Sequence, residues 1–433
     1  MDISQIKDKI LSAAQEGDGW IKNIAHEVYQ NPETGFCEEK SSALVRKAFD
    51  ELGINYQYPL ALTGVKATLK GKNSNFNVCI IGELDAIASP EHPNANDSGV
   101  VHACGHSAQV GAMLGAAYAL KKSGVMQYLD GDVTFMAVPA EEFNEIEYRA
   151  ELKKQGKIKY FSGKQQLVYE GAFDDVDMAI MLHAMGNEPN PKLYVRGNNL
   201  GFITKKLTFV GKAAHATAPD QAVNALNAAA LAILGIHSNR DTFREDERIR
   251  IHPIITKGGD VVNTVPDKVE MQMQVRGATQ QAIAKANSVV NRVAEGACQM
   301  IGASLLTEDI VGYLPLAENE QITSVMQDVA KELIGQENIV SGYTLVGSTD
   351  MGDISSIMPA VQPSIGGFTG GLHSKDFEIK DEDAAIMLPA KLMALTAAQL
   401  LFDNAKGAKA VKDNFKPYFT KQQYLKYLEG GTN

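Results

Sequence analysis

Cysteine is scarce in this chain. Four among 433 residues, Cys37, Cys79, Cys104 and Cys298, are spread too widely to read as a disulfide scaffold. The first residues, Met1-Asp2-Ile3-Ser4-Gln5-Ile6-Lys7, lack a basic start followed by an apolar stretch. No secretory signal is therefore expected, and a reducing cytoplasm is the simplest location. No apolar run approaches the roughly 20 residues of a membrane-spanning helix, so no membrane partner is expected. Positive charge is in deficit, with 41 Lys plus Arg against 52 Asp plus Glu, a net of −11. That balance argues against nucleic acid as a partner, because phosphate neutralisation needs clustered Lys and Arg. Internal repeats and low-complexity stretches are missing as well. With 45% hydrophobic and 21% charged residues, the chain has the profile of a globular protein. Its length suggests two or three domains at roughly 100 to 200 residues each.

Helical and strand-like segments alternate through the first half. Apolar spacing predicts helices over Ile6 to Val28, Ser41 to Leu52 and Ser107 to Lys122. Continuous apolar runs at Val78 to Gly82, Val133 to Val138 and Val176 to Leu182 read as strands buried on both faces. This alternation implies an α/β layer structure built on a mainly parallel sheet. After about Asn198 the pattern changes to period-two alternation, at Lys205 to Val210, Arg248 to His252 and Val269 to Arg276, which marks a sheet with one wet face. Helices over Ala222 to Ile236 and Thr279 to Ile301 are available to cover its dry face. The expected organisation is a catalytic domain in two parts, 1–197 and 312–433, with a smaller α+β lid domain, 198–311, inserted between them. A helix from Glu320 to Leu333 reopens the larger domain, and the Lys-, Tyr- and Phe-rich tail after Ala405 receives no role.

The densest chemistry is His102-Ala103-Cys104-Gly105-His106, between a buried strand and a helix. In open α/β sheets ligands gather at the carboxyl ends of strands. A thiolate and an imidazole on one turn suit a borderline transition metal, although the turn alone reads equally as a buried Cys beside capping histidines. Pro139-Ala140-Glu141-Glu142 follows the next strand. Adjacent carboxylates repel and call for a cation, leaving one free to take a proton from a metal-bound water, whereas a lone Glu pair is usually a solvated loop. His183 follows a third strand, and His373 stands in the loop Gly366-Gly367-Phe368-Thr369-Gly370-Gly371-Leu372-His373. Each histidine singly is more often structural than a ligand; together the four signals favour a metal site.

The ordered set Gly82-Glu83-Leu84-Asp85-Ala86, His102 to His106, Pro139 to Glu142, His183, Gly211 to Ala216, Gly258-Gly259 with Asn263, and Leu372-His373-Ser374 resembles the aminoacylase and carboxypeptidase-G-type metallopeptidase family. The Cys-containing turn is most similar to its amidohydrolase branch of aminobenzoyl-glutamate hydrolases, auxin-conjugate hydrolases and N-acyl-amino-acid deacylases. The resemblance implies two divalent metal ions per subunit, held by Cys104, His106, Glu142, His183 and His373, with Glu141 as general base and acid. It implies that Asp85 lies behind the metals, that His215 reaches the substrate carbonyl, and that Asn263 and Arg276 bind the substrate. It also implies a homodimer formed through the lid. Zinc, manganese and nickel all suit such ligands.

Independently, Arg276 ends an alternating strand on its polar side, where a guanidinium can grip a carboxylate or be an ordinary edge arginine. The implied function is metal-dependent cleavage of the amide bond of an N-acyl or aminobenzoyl amino acid. The alternatives are a dipeptidase or aminopeptidase, with Glu145 and Glu147 available to a free amino end, and a non-catalytic binding module. The chain departs from the family at Ser107, where Asp is usual, and at Gln109, where His is common, so the partner orienting His106 is unidentified. A segment beginning Phe143-Asn144-Glu145-Ile146-Glu147-Tyr148-Arg149 replaces the usual Gly-rich stretch after the Glu pair and is expected to reshape the pocket.

Overall fold

A computed structural model describes residues 1–197, 199–343 and 347–430; the expected domain boundary at 198 lies outside them. The described residues form two compact units, one of 1–197, 317–343 and 353–424, the other of 199–316, 347–352 and 425–430.

The first unit is built on a six-stranded sheet in the order Tyr56–Leu60, Gly64–Leu69, Asp132–Val138, Asn77–Glu83, Met178–Ile180, Ala360–Val361. The last four strands are parallel, and the leading hairpin joins them antiparallel. Sequence patterning finds the parallel centre because those strands are buried throughout. It misses the hairpin: Tyr56–Leu60 contains Pro59, which is confined to sheet edges, and that is where the strand lies. The helix His106–Lys122 packs on the sheet and between Asp18–Tyr29 and Leu388–Asn414, so it is buried nearly all round. The single helix expected over Ile6 to Val28 is two, Ile3–Glu16 and Asp18–Tyr29, which meet at Gly17.

Contrary to the apolar-run reading, Asp383–Asn414 is long and apolar enough to cross a membrane, but 83% of its apolar window is buried. Its hydrophobicity serves the core, and the backbone leaves helical geometry from Phe402 to Ala405. A smaller four-stranded sheet, which sequence reasoning missed, carries His183–Ala184 at one edge beside Ser364–Ile365.

The second unit is an antiparallel sheet in the order Arg250–Ile251, Lys268–Gly277, Gly201–Val210, Ser304–Val311, with Ile254–Lys257 also on Lys268–Gly277. Register explains the alternation. Leu207 faces Met271 and Phe209 faces Val269 on the dry side, whereas Thr204 faces Gln274 and Phe202 faces Arg276 on the other. The helices Ala225–Ser238 and Gln280–Ile301 close the dry side around Met271, Met273 and Val275. One cation, Lys205, is fully buried on that side, answered by Asp309 and by Asn291 at 2.8 Å.

Candidate metal centre

Three parallel strands deliver their carboxyl ends to one edge of the first unit's sheet, where the chemistry collects. Asn77–Glu83 ends in Glu83 and Asp85, Asp132–Val138 runs into Glu141 and Glu142, and Met178–Ile180 runs into His183. Cys104 and His106 arrive on the turn before helix His106–Lys122. Gly105 makes that turn at φ 84°, where a Cβ would also lie 2.6 Å from the Ala184 side chain. His373, also at positive φ (64°), is brought in from the C-terminal part of the unit by its N–H, which donates to the Ala103 carbonyl at 2.7 Å.

All five residues expected as ligands converge. Cys104 Sγ lies 3.4 Å from His183 Nε2 and 3.2 Å from His373 Nε2, and His373 Nε2 lies 3.0 Å from Glu142 Oε1. In two sets the donor atoms all lie within 4.8 Å of one another and could hold an ion: Cys104 with His106 and His183, and Cys104 with Glu142 and His373. The Cys104 sulfur is common to both sets. A third set joins Glu83, His106 and Glu141. The residues fit divalent cations on an independent ground. The buried atoms Glu83 Oε2, His106 Nε2 and Glu142 Oε1 make no hydrogen bond among the described residues, although His106 Nε2 and Glu83 Oε2 are only 3.2 Å apart. Spacings of 3.0 to 3.4 Å are those of neighbouring donors bonded at about 2.0 to 2.3 Å to one ion.

The surroundings orient these donors. His106 Nδ1 faces the Asp85 carbonyl at 2.9 Å and Asp85 Oδ1 at 3.2 Å, which leaves Nε2 for metal. Asp85 is therefore the partner of His106 that the Ser107 and Gln109 departures left unidentified. Its other oxygen accepts from the Glu142 N–H at 2.8 Å, so one carboxylate fixes two of the residues that carry donors. His183 Nδ1 is engaged by the Ala184 carbonyl at 2.9 Å, again leaving Nε2 inward. His102 is buried beside the turn but belongs to none of the donor sets; burial, then His106, pushes its pKa down to about 3.

Charge is balanced by residues the sequence did not announce. Glu83 and Lys164 are both fully buried, with Nζ 2.6 Å from Oε1. Burial alone would raise the Glu83 pKa, but Lys164, then His106 and His183, hold it below the ordinary value. Glu83 had a signal, being an acid closing an otherwise apolar strand; Lys164 had none. Glu38, also fully buried, accepts from the Ala140 N–H at 2.8 Å and from Thr63 Oγ1 at 2.6 Å. Burial and then Asp85 push its pKa up to about 8. The Cys104 thiol is raised well above its ordinary value by burial and by Glu142, so metal binding there must displace a proton.

The remaining expected site residues lie in the second unit. The exposed His215 bonds Thr217 Oγ1 at 2.7 Å through Nδ1, and its backbone bridges to Thr264. The next N–H, of Ala216, donates to the Asn263 carbonyl at 2.9 Å, so His215 and Asn263 are on neighbouring segments. Arg276 is held by Gln274 Oε1 at 2.6 Å and Ser348 Oγ at 2.8 Å, over the Phe202 ring. It lines a cavity of about 430 Å³ with Arg250, His252, Gln272 and Gln274.

An α/β sheet whose strand ends gather Cys, His and Glu donors beside a further carboxylate defines a metal-dependent hydrolase. The chain belongs to peptidase family M20/M25/M40, which residues 79–398 match. It is 26% identical over 425 residues to IAA-amino acid hydrolase ILR1-like 2 of Arabidopsis thaliana, covering 93% of this chain and 91% of that one. To the hippurate hydrolase of Campylobacter jejuni it is 24% identical over 345 residues, covering 77% and 84%. The fold matches a crystal structure from methicillin resistant Staphylococcus aureus with a TM-score of 0.79 at 20% identity, covering 91% of this chain and all of that one. It also matches a dinuclear metal binding peptidase of the M20 family from Bacillus subtilis, with a TM-score of 0.72 at 22% identity over 89% and 99% of the chains. The protein is a metallo-amidohydrolase that uses divalent cations.

Proposed function

We propose that this enzyme cleaves the amide bond between an acyl group and an amino acid, with Cys104, His106, Glu142, His183 and His373 as ligands of two cations. The observation that carries the reading is the shared Cys104 sulfur in two donor sets, with the Glu141 carboxylate next in sequence to one ligand and outside both sets. The conjugates in the relatives' names, IAA-amino acid and hippurate, support the substrate class.

When bound, the cations supply a water acidic enough to ionise near neutral pH. Glu141 takes its proton and later returns it to the leaving amine. His215 donates a hydrogen bond to the substrate carbonyl oxygen as charge develops there. Arg276, with Asn263, binds the amino-acid portion. Support for a carboxylate at Arg276 comes from Arg250, its directly opposed neighbour across the sheet, since like charges so placed repel unless an anion answers them. Zinc or manganese is the proposed metal, with nickel also suited. A homodimer through the second unit is proposed from its edge strand Ser304–Val311, which exposes Leu306. We assign the protein to the cytoplasm, in keeping with four unpaired cysteines.

The test is turnover of N-acyl amino acids against free dipeptides, on protein of measured metal content, with Glu141→Gln alongside. The wild type should prefer the acylated substrates. Glu141→Gln should keep its metal and lose about 10²- to 10⁴-fold in kcat. Preference for free dipeptides would turn the reading to a dipeptidase, and full activity of Glu141→Gln would remove that residue as base.

A further inference from the structure

The segment after Glu142 does more than lengthen a loop. It forms the helix Ile146–Lys154, whose one fully buried side chain is Arg149. We propose that Arg149 is a positioning residue for the metal centre, its guanidinium fixing the peptide groups on either side of the Glu141–Glu142 pair and so the aim of both carboxylates. This rests on the reading of Glu142 as ligand and Glu141 as base.

Every hydrogen bond of that guanidinium goes to a main-chain carbonyl. Nη1 donates to Phe161 at 2.5 Å and to Ala140 at 3.4 Å, and Nη2 donates to Glu142. The Ala140 and Glu142 carbonyls belong to the peptide groups that enter and leave the Glu141–Glu142 pair. Ala140 needs such anchoring, since it is held at φ 53°, costly for a residue with a side chain. Its N–H is already tied to Glu38, and its carbonyl also accepts from the Gly163 N–H at 3.2 Å.

Charge points the same way. A fully buried cation needs an answering anion, yet the carboxylate that pairs with Arg149, Glu145, stands 3.9 Å away. Main-chain carbonyls therefore carry its interactions, and the Glu142 backbone is held at both ends, its carbonyl by Arg149 and its N–H by Asp85 at 2.8 Å. The planar fork matters as well as the charge, because a lysine would offer its donors from a single nitrogen where Arg149 uses two. Space has been left for it at Gly35, where a Cβ would fall 2.4 Å from Arg149 Nη2 and 3.0 Å from the Ala140 Cα.

The experiment measures Zn²⁺ affinity by chelator competition, and the Tm of the metal-free protein, on full-length wild type, Arg149→Lys, Arg149→Met and Gly35→Ala. Loss of such supporting contacts typically costs 10- to 100-fold in metal affinity or activity. Arg149→Lys and Arg149→Met should therefore weaken Zn²⁺ binding by about 10- to 100-fold. On whichever substrate the wild type turns over, they should lower kcat per bound metal while KM stays within about 3-fold. Gly35→Ala, which crowds the guanidinium without removing it, should move in the same direction and covers the case in which Arg149→Met does not fold. A purely structural Arg149 would lower Tm alone; Zn²⁺ affinity within twofold of wild type in folded Arg149→Lys and Gly35→Ala overturns the inference. Glu142→Gln separates the two readings. If it weakens Zn²⁺ binding while the Arg149 variants do not, only the positioning role falls. If it too leaves affinity unchanged, the metal-site reading falls with it.

Discussion

Glu141 and Glu142 are consecutive and both buried, and what separates them is direction: Glu142 points to His373 and Cys104, Glu141 to His106 and Glu83. The pair was legible in the sequence because two acids after an apolar strand have no folding purpose of their own. The groups that support them were not legible, because Glu38, Lys164 and Arg149 stand in ordinary polar surroundings and acquire meaning only through burial. The Glu38 pKa is raised from the usual 4.5 to about 8, so the fold prefers its neutral form. Its favourable contribution is complete below about pH 4.5 and declines as pH rises through the folded value of about 8. Glu38→Gln should flatten that decline, gaining stability relative to wild type at pH 8 but not at pH 4.5 in urea unfolding; an equal difference at both pH values would refute it. Lys164→Met strands a buried carboxylate and should destabilise by roughly 3 to 5 kcal/mol. Adding Glu83→Gln should recover part of the lost Tm, and a double variant no more stable than Lys164→Met would dissociate the two residues.

At the level of elements, the parallel strands and the wet-faced sheet could be foreseen from burial and alternation. Lys268–Gly277 buries every second residue, and its period survives because one face is dry. What could not be foreseen was pairing made by short pieces, such as His183–Ala184 with Ser364–Ile365, too brief for any periodicity. The Cys104 turn shows how an element end sets a ligand. Gly105 faces Ala184, next to His183, so the two histidine-bearing segments meet through a residue without a side chain. Gly105→Ala should therefore separate them, at a cost of about 1 to 3 kcal/mol for the unfavourable φ alone. Metal analysis should find less than the wild-type content; an unchanged content with unchanged Tm would mean that the turn adjusts freely.

Over the whole molecule, cations that bind the folded centre but not the unfolded chain must stabilise it by mass action. Free metal at 100 times Kd gives about 2.7 kcal/mol, so chelation should lower the calorimetric Tm by several degrees and abolish turnover. Identical melting with and without chelator would show that the ions are not linked to folding. Raising the pH should tighten binding, since the Cys104 thiol must lose its proton to become a ligand. The centre also spans the chain. Cys104 and His373 are 269 positions apart, and most of the second unit, residues 199–316 and 347–352, is synthesised between them. A nascent chain on the ribosome can complete most of that unit while the first still lacks its last donor. A complete donor set is thus deferred until His373 has been made, and a product terminated before it carries an incomplete chelate whatever the metal supply of the cell.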